Sequence, residues 1–313
     1  LLLGSKNSLR RNFLALLIAT PWLVMACVRI FSLDHWWVLS AMVAFTPQVL
    51  VTMLFPLALA LLLRARFTVL TIAVFAGVLV VLLSPRAIPD RQPSTSGTEV
   101  TIFSANLLEG AASPGPLISA IRRADPDIIA LQEVTPANVA ALRAAGVMAK
   151  RPFIVGKPAI GPLGYVTISR WPLQVIAGSG LSDGRWPEMH VLGTTMIFRN
   201  VHPRSQLHPE SRVSWRTNLA DIPGPRGRLR VVAGDFNATL DQRAFRALVA
   251  RGYHDAGATT GNGFKWTWVV SRSGRLVIDH VLVAPTIEVQ HFDVVDLPGS
   301  DHNAVVTRIR LPG

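Results

Sequence analysis

Val231-Val232-Ala233-Gly234-Asp235-Phe236-Asn237-Ala238-Thr239 decides how this chain is read. The apolar run makes a buried strand, and a glycine then lets the backbone turn with no side chain in the way. Alternation along an extended backbone turns Asp235 and Asn237 to one face, so both leave the strand end toward a single pocket. A carboxylate beside a carboxamide suits a hard divalent cation and a phosphate oxygen, because such cations take oxygen ligands and an amide can donate to phosphate. Taken alone, the pattern is also that of any strand ending in a polar turn.

Upstream, Val100–Leu108 reads as a buried strand carrying the polar Asn106 near its end. A helix is predicted from Pro116, with Leu117, Ile118 and Ile121 on one face, closed by Asp125-Pro126. Asp127–Leu131 is then a short strand delivering Gln132-Glu133 at its tip, and a second helix covers Ala137–Ala145. The bland account of Glu133 is a cap on the helix that follows Thr135-Pro136. Gly164–Ser169 and Val191–Asn200 alternate as strands, the second leading into Val201-His202-Pro203, where proline disfavours helix at His202. A lone histidine is more often packed than catalytic. Arg204 is as natural in a solvated loop as on a substrate phosphate. Pro209–Ile222 is predicted as the next helix.

Downstream, an amphipathic helix is predicted over Ala244–Ala250. The strand Leu276–Val283 places Asp279 in its middle, where an unpaired buried carboxylate is costly. Gly299-Ser300-Asp301-His302-Asn303 precedes the strand Ala304–Leu311, and a hydrogen bond from His302 to Asp279 would remove that cost and orient the imidazole. His280 faces the other way and reads as packing; Trp266 and Trp268 read as a sheet-packing pair, and Arg226, Arg228 and Arg230 as a solvated face.

Half of the 313 residues are hydrophobic, too many for one soluble domain. The excess lies in Asn12–Leu33, Trp37–Leu63 and Phe67–Ser84, each long enough to cross a hydrocarbon core of about 30 Å. Lys6, Arg10 and Arg11 ahead of the first segment, with Arg64 and Arg66 between the second and third, place those ends in the cytoplasm and everything after Ser84 outside. Residues 1–84 thus form a three-helix membrane anchor, 85–98 a Pro- and Ser-rich linker, and 99–313 one domain with chain enough for a large core. The net charge of +12 attracts polyanions or anionic lipid surfaces. The single cysteine, Cys27, excludes an intramolecular disulfide and a cysteine-based metal site.

Asn106, Leu131-Gln132-Glu133, His202, Gly234-Asp235-Phe236-Asn237, Ile278-Asp279-His280 and Ser300-Asp301-His302 follow one another in an order that resembles the endonuclease/exonuclease/phosphatase family, the deoxyribonuclease I-like enzymes. The resemblance covers about residues 99–311. It implies an α/β fold: a four-layer α/β/β/α sandwich, here preceded by three transmembrane helices, with the site where strand ends of two mixed sheets meet. It also implies roles. Glu133, with Asn106 and Asp301, would hold Mg²⁺ or Mn²⁺. Asp235 would help bind metal or position the attacking water, and Asn237 would hold the phosphoryl oxygens, with Arg204 a further substrate contact. His302 would be the general base, oriented by Asp279, and His202 would stabilise the phosphorane or protonate the leaving oxygen. A histidine at 202 resembles the deoxyribonuclease I and sphingomyelinase side of the family, since abasic-site nucleases carry tyrosine in that region.

The expected activity is therefore membrane-anchored, Mg²⁺-dependent hydrolysis of a phosphodiester in nucleic acid or in a phospholipid headgroup. The expected partners are that substrate and the lipid bilayer, with no protein partner. The alternative from another class is a non-catalytic phosphate- or nucleic-acid-binding membrane scaffold on the same fold.

Overall fold

The computed structural model describes residues 6–181, 185–206, 211–269 and 274–313. The chain divides into two compact units, residues 1–85 with 240–243, and residues 86–239 with 244–313.

The first unit is helical: α1 (Lys6–Ile30), α2 (Trp37–Val43), α3 (Thr46–Thr52), α4 (Leu54–Leu62) and α5 (Arg66–Leu83). Among the described residues, two helices, Lys6–Ile30 and Arg66–Ala87, are long and apolar enough to cross a membrane. A third span exists only if α2 and the segment Thr46–Leu62, bent by 63° from each other, count as one. Within the segment Trp37–Leu63 the helix bends where Pro47 enters the first turn of α3, because proline lacks the N–H that a continuing helix needs. Small residues, Ala15, Ala19, Ala26 and Ala60, line the unit's core beside Ile72 and Leu79 and let helices approach closely. Asn12 Oδ1 accepts from the N–H groups of Phe67 and Thr68, satisfying donors at the start of α5.

The second unit opens with β1 (Glu99–Asn106), α6 (Pro114–Ala124), β2 (Ile128–Gln132) and α7 (Pro136–Ala144). Next come β3 (Phe153–Lys157), β4 (Tyr165–Ser169), β5 (Leu173–Val175), β6 (Met189–Val191) and β7 (Met196–Val201). They are followed by α8 (Arg212–Asp221), β8 (Leu229–Asp235), α9 (Arg243–Val249), β9 (His254–Asp255) and α10 (Ala256–Thr259). The chain closes with β10 (Trp268–Val269), β11 (Arg275–Leu276), β12 (Asp279–Val283), β13 (Glu288–Val295) and β14 (Ala304–Arg310).

Two six-stranded sheets result, ordered β13-β14-β1-β2-β4-β3 and β5-β6-β7-β8-β12-β9. Each is mixed, with β1 parallel to β2 in the first and β7 parallel to β8 in the second. The parallel pairs bring strand C-termini to one end: Asn106 lies beside Gln132, and Val201 beside Gly234. Antiparallel β12 starts at that same end, with Asp279 opposite Asp235. One core joins the inner faces of both sheets, with Ile102, Ile128 and Ala130 among Phe198, Val231 and Val281. A second core packs Leu117 and Ile121 of α6 and Leu142 of α7 against Phe103 and Leu131. All five residues of β2 are buried because both faces of its sheet are covered.

Three expectations change. Thr135 and Asn138 form a complete capping box on α7, so Glu133 is not needed as its cap. Leu276–Val283 is not one strand: Asp279 begins β12, and the side chain of Thr267 replaces a ladder partner by accepting from the N–H groups of Ile278 and Asp279, each at 3.0 Å. Val191–Asn200 is two strands joined by a turn. The predicted helix Pro209–Ile222 is α8, whose described part starts at Arg212; Pro209 and Glu210 lie outside the described residues.

Candidate functional site

Asn106, buried at the tip of β1, joins the two sheets. Its Nδ2 donates to Glu133 Oε1 at 3.0 Å and to Asp235 Oδ2 at 3.1 Å, while its Oδ1 accepts from Leu108 N at 2.9 Å. Glu133, just past β2, has φ +52°, a left-handed conformation uncommon outside glycine. Its Oε2 accepts from Glu109 N at 2.8 Å. Such strained backbone persists where the surroundings over-determine it, often at functional sites.

His202 follows β7 and brings Nε2 to 3.5 Å from both Glu133 Oε1 and Asp235 Oδ2. Asp235, at the end of β8, accepts from Asn237 N at 2.7 Å. Asn237, itself at φ +48°, donates from Nδ2 to the carbonyl of Pro203 at 3.0 Å, which ties it to the loop carrying His202. On the other flank, His302 Nδ1 lies 2.9 Å from Asp279 Oδ2, and its Nε2 lies 3.7 Å from Asp235 Oδ2 and 3.9 Å from Asp301 Oδ1. Ser300 Oγ donates to Asn106 O at 2.9 Å and accepts from His302 N at 3.0 Å, so the last loop is pinned to the first strand.

Eight of the nine residues singled out in the sequence therefore meet in one cluster. Arg204 is exposed two residues beyond His202 and joins none of the contacts described above.

Burial opposes a charge on His302, but Asp279, then Asp235 and Asp301, outweigh it and push the imidazole up to about 10. Burial also pushes Asp279 above the usual carboxylate range, and the facing imidazole offsets this only in part. The three carboxylates around the ring are the larger effect, so the proton resides on His302.

Asp235, Asp279 and His302 bring three donor atoms within 4.8 Å of one another, a spacing open to a metal ion. This is not the set Asn106, Glu133 and Asp301 that the family resemblance implies. The short Asp279–His302 bond already accounts for two of its members, so a hydrogen-bonded acid–base pair explains that trio better than a cation. Of the implied set, Asp301 Oδ1 is buried with no hydrogen-bond partner among the described residues, and Glu133 Oε1 meets Asn106, which turns its Nδ2 to that carboxylate and its Oδ1 to Leu108 N. Carboxylate and carboxamide oxygens suit Mg²⁺ or Mn²⁺.

Sequence reasoning missed the support beneath the cluster. Gln132 Nε2 donates to Asn200 Oδ1 at 2.7 Å, and Asn200 Nδ2 donates to the carbonyls of Leu131 at 3.1 Å and Val166 at 2.9 Å. Both side chains are fully buried, and the bridge joins the strand before Glu133 to the strand before His202. Two amides at inward positions of apolar strands were the available signal. Trp268 also belongs here, since its Nε1 donates to Asp301 Oδ2 at 2.9 Å. Arg230 is not on a solvated face: it is buried and donates to Glu188 at 2.7 Å. His280 is packed, with Nδ1 2.8 Å from Asp255 and Nε2 2.9 Å from the Ala238 carbonyl.

A family model described as the Endonuclease/Exonuclease/phosphatase family matches residues 103–302. No curated protein matches the chain. Among solved structures, an endonuclease/exonuclease/phosphatase family protein from Bacteroides thetaiotaomicron is 15% identical, with 70% of this chain and 100% of that one covered, at a TM-score of 0.53. An AP endonuclease from Archaeoglobus fulgidus is 16% identical, over 66% of this chain and 98% of that one, at 0.54. D. rerio TDP2 complexed with single strand DNA product is 17% identical, over 68% and 99%, at 0.51. At these identities the likeness carries the fold.

Proposed function

Because the chain belongs to the endonuclease/exonuclease/phosphatase family, hydrolases of phosphoester bonds, we propose that it is a membrane-anchored, divalent-metal-dependent phosphodiesterase with a four-layer α/β/β/α catalytic domain. One observation carries the reading: Asp235 Oδ2 lies 3.1 Å from Asn106, 3.5 Å from His202 and 3.7 Å from His302, a focus reached from strand tips of both sheets.

Glu133, Asn106 and Asp301 would hold Mg²⁺ or Mn²⁺. Bound there, the ion would supply positive charge to the phosphoryl oxygens and offset the carboxylate field that keeps His302 protonated. His302 Nε2 then takes the proton of a water positioned by Asp235, while Asp279 holds Nδ1–H and fixes the tautomer. The water oxygen bonds to phosphorus as a P–O ester bond breaks, giving a phosphomonoester and an alcohol. His202 delivers the proton to the departing oxygen, and Asn237 donates to a non-bridging oxygen whose charge grows in the transition state.

The apolar helices of the first unit support anchoring in a membrane, and the distribution of Lys and Arg supports a catalytic domain on the outer side. The test is hydrolysis of bis(p-nitrophenyl) phosphate by the purified chain with Mg²⁺, beside His302→Ala and Asp235→Ala. Both variants should be inactive; wild-type rates in both would overturn the mechanism.

A further inference from the structure

Asp279 and His280 are neighbours on β12 that face opposite ways, and each belongs to a carboxylate and histidine pair. The pairs differ in one respect. His302 gives Nδ1 to Asp279 and turns Nε2 toward the cluster, 3.7 Å from Asp235, so one ring nitrogen can exchange a proton. His280 commits both: Nδ1 lies 2.8 Å from Asp255 Oδ2, and Nε2 lies 2.9 Å from the Ala238 carbonyl. A carbonyl can only accept, and so can an ionised carboxylate. Asp255 behaves as one, since its Oδ1 also accepts, from Ala258 N at 2.8 Å. Both ring nitrogens of His280 therefore carry a proton, and the ring is an imidazolium. Burial opposes that charge, but Asp255, the Ala238 carbonyl and Asp279 outweigh it and hold the group above its ordinary value. The ring of Phe245 lies 4.5 Å away between centres and that of Phe236 5.9 Å, within reach of a cation–π contact.

This cation meets the turn that carries Asn237. With φ +48°, Asn237 sits in a backbone conformation that persists only where its neighbours over-determine it. On the near side, Phe236 N donates to the Ile278 carbonyl at 2.9 Å, Trp215 Nε1 donates to the Phe236 carbonyl at 3.1 Å, and Asn237 N donates to Asp235. On the far side, the next carbonyl after Asn237 is that of Ala238, and it accepts from His280. A charged donor makes this hydrogen bond stronger than a neutral one would.

We propose that His280 is a positioning residue, a buried imidazolium that clamps the Ala238 carbonyl and so fixes the left-handed turn from which Asn237 reaches the phosphoryl group. The proposal rests on the phosphodiesterase reading and adds to it a residue that touches no substrate.

Two amide variants separate the ends of the ring. Glutamine places its amide nitrogen near Nε2 of the histidine it replaces, and asparagine near Nδ1. His280→Gln therefore keeps a donor for Ala238, whereas His280→Asn keeps one for Asp255 and leaves the turn unheld. Each loses a charge and a buried bond, so both should lower the denaturation midpoint, and only the second should disturb Asn237. Calorimetric binding of inorganic vanadate with Mg²⁺, a mimic of the phosphoryl transition state, reads this without turnover. His280→Asn should weaken the affinity at least about tenfold and His280→Gln by less than about threefold, with kcat on bis(p-nitrophenyl) phosphate following the same order. In an Asn237→Gly background, where glycine tolerates the turn, the loss from His280→Asn should shrink below about threefold.

Equal losses in the two amide variants, or a loss that survives Asn237→Gly in full, overturn the positioning role. Nitrogen-15 resonances of the histidine-labelled wild-type chain read the clamp itself and need no variant to fold: both ring nitrogens of His280 should be protonated at neutral pH, and one bare nitrogen overturns the clamp whatever the kinetics. The expected vanadate order without diester hydrolysis keeps the clamp and overturns the phosphodiesterase reading. Vanadate that does not bind wild type overturns both.

Discussion

Replacing Asp279 with asparagine keeps the shape of a fully buried side chain and removes its charge, so its effect can be worked from the bond it breaks. The carboxylate accepts from His302 Nδ1 at 2.9 Å. A hydrogen bond to a charged group contributes about 1.5–3 kcal/mol, and if that is lost only as the imidazolium forms, the rate falls about 10- to 150-fold. A second loss follows from the amide's two ends. With its oxygen toward His302, the NH₂ group occupies the place of Oδ1, which is buried without a hydrogen-bond partner. An orphaned donor there costs about 1–3 kcal/mol. With the NH₂ group toward His302 instead, Nδ1 must accept, the ring proton moves to Nε2, and the base is gone. Asp279→Asn should therefore lower kcat by about 10²- to 10⁴-fold with KM changed by less than about threefold. Initial rates on bis(p-nitrophenyl) phosphate with Mg²⁺ measure both constants, and circular dichroism confirms that the variant is folded. A folded variant keeping more than about a third of wild-type kcat would refute the pairing of these residues in the mechanism.

Asn200→Ala removes three buried hydrogen bonds far from solvent and should destabilise the catalytic unit by about 2–4 kcal/mol, read as a lowered denaturation midpoint; an unchanged midpoint would show that the bridge contributes nothing. Chelation with EDTA should abolish hydrolysis, and Mg²⁺ or Mn²⁺ should restore it in wild type but not in Glu133→Gln; activity that persists in EDTA would remove the cation from the scheme. His302 is raised from 6.5 in the unfolded chain to about 10 in the fold, so its protonation stabilises the fold fully below pH 6.5 and less as pH rises toward 10. In EDTA the melting temperature should fall across that window, and His302→Asn should flatten the decline; an identical slope in the variant would assign it elsewhere. Protease added to intact cells should cut within residues 86–313, and an uncut domain beside a cleaved external control would contradict the outward placement.

The cluster was legible in the sequence because its members sit at strand tips, where a polar residue ends an apolar run: Asn106, Glu133, His202 and Asp235 each break such a pattern. That His302 and Asp279 belong together followed from the cost of burying a carboxylate alone. Less visible were the elements with no clear period. β3 is exposed along almost all of its length, and β13 alternates only in its first half, so neither announces itself as a strand. Long-range pairs were hidden as well. Nothing local distinguishes Arg230 from Arg228, yet one is buried against Glu188 and the other is exposed, a difference decided by packing from a different strand. Pro47 was visible, but whether a proline kinks a helix or divides it depends on neighbours that a one-dimensional reading lacks.

The amide bridge between Gln132 and Asn200 has a bearing on how such a scaffold diversifies. Sliding one sheet over the other would sever its bonds together, so the relative placement of the strand tips is locked from below. The connections above are then free to be lengthened, shortened or exchanged without misaligning the reactive groups. Segment 158–164 is the natural position for a graft, and swapping it between related chains offers a route to new specificity on an unchanged chemical engine.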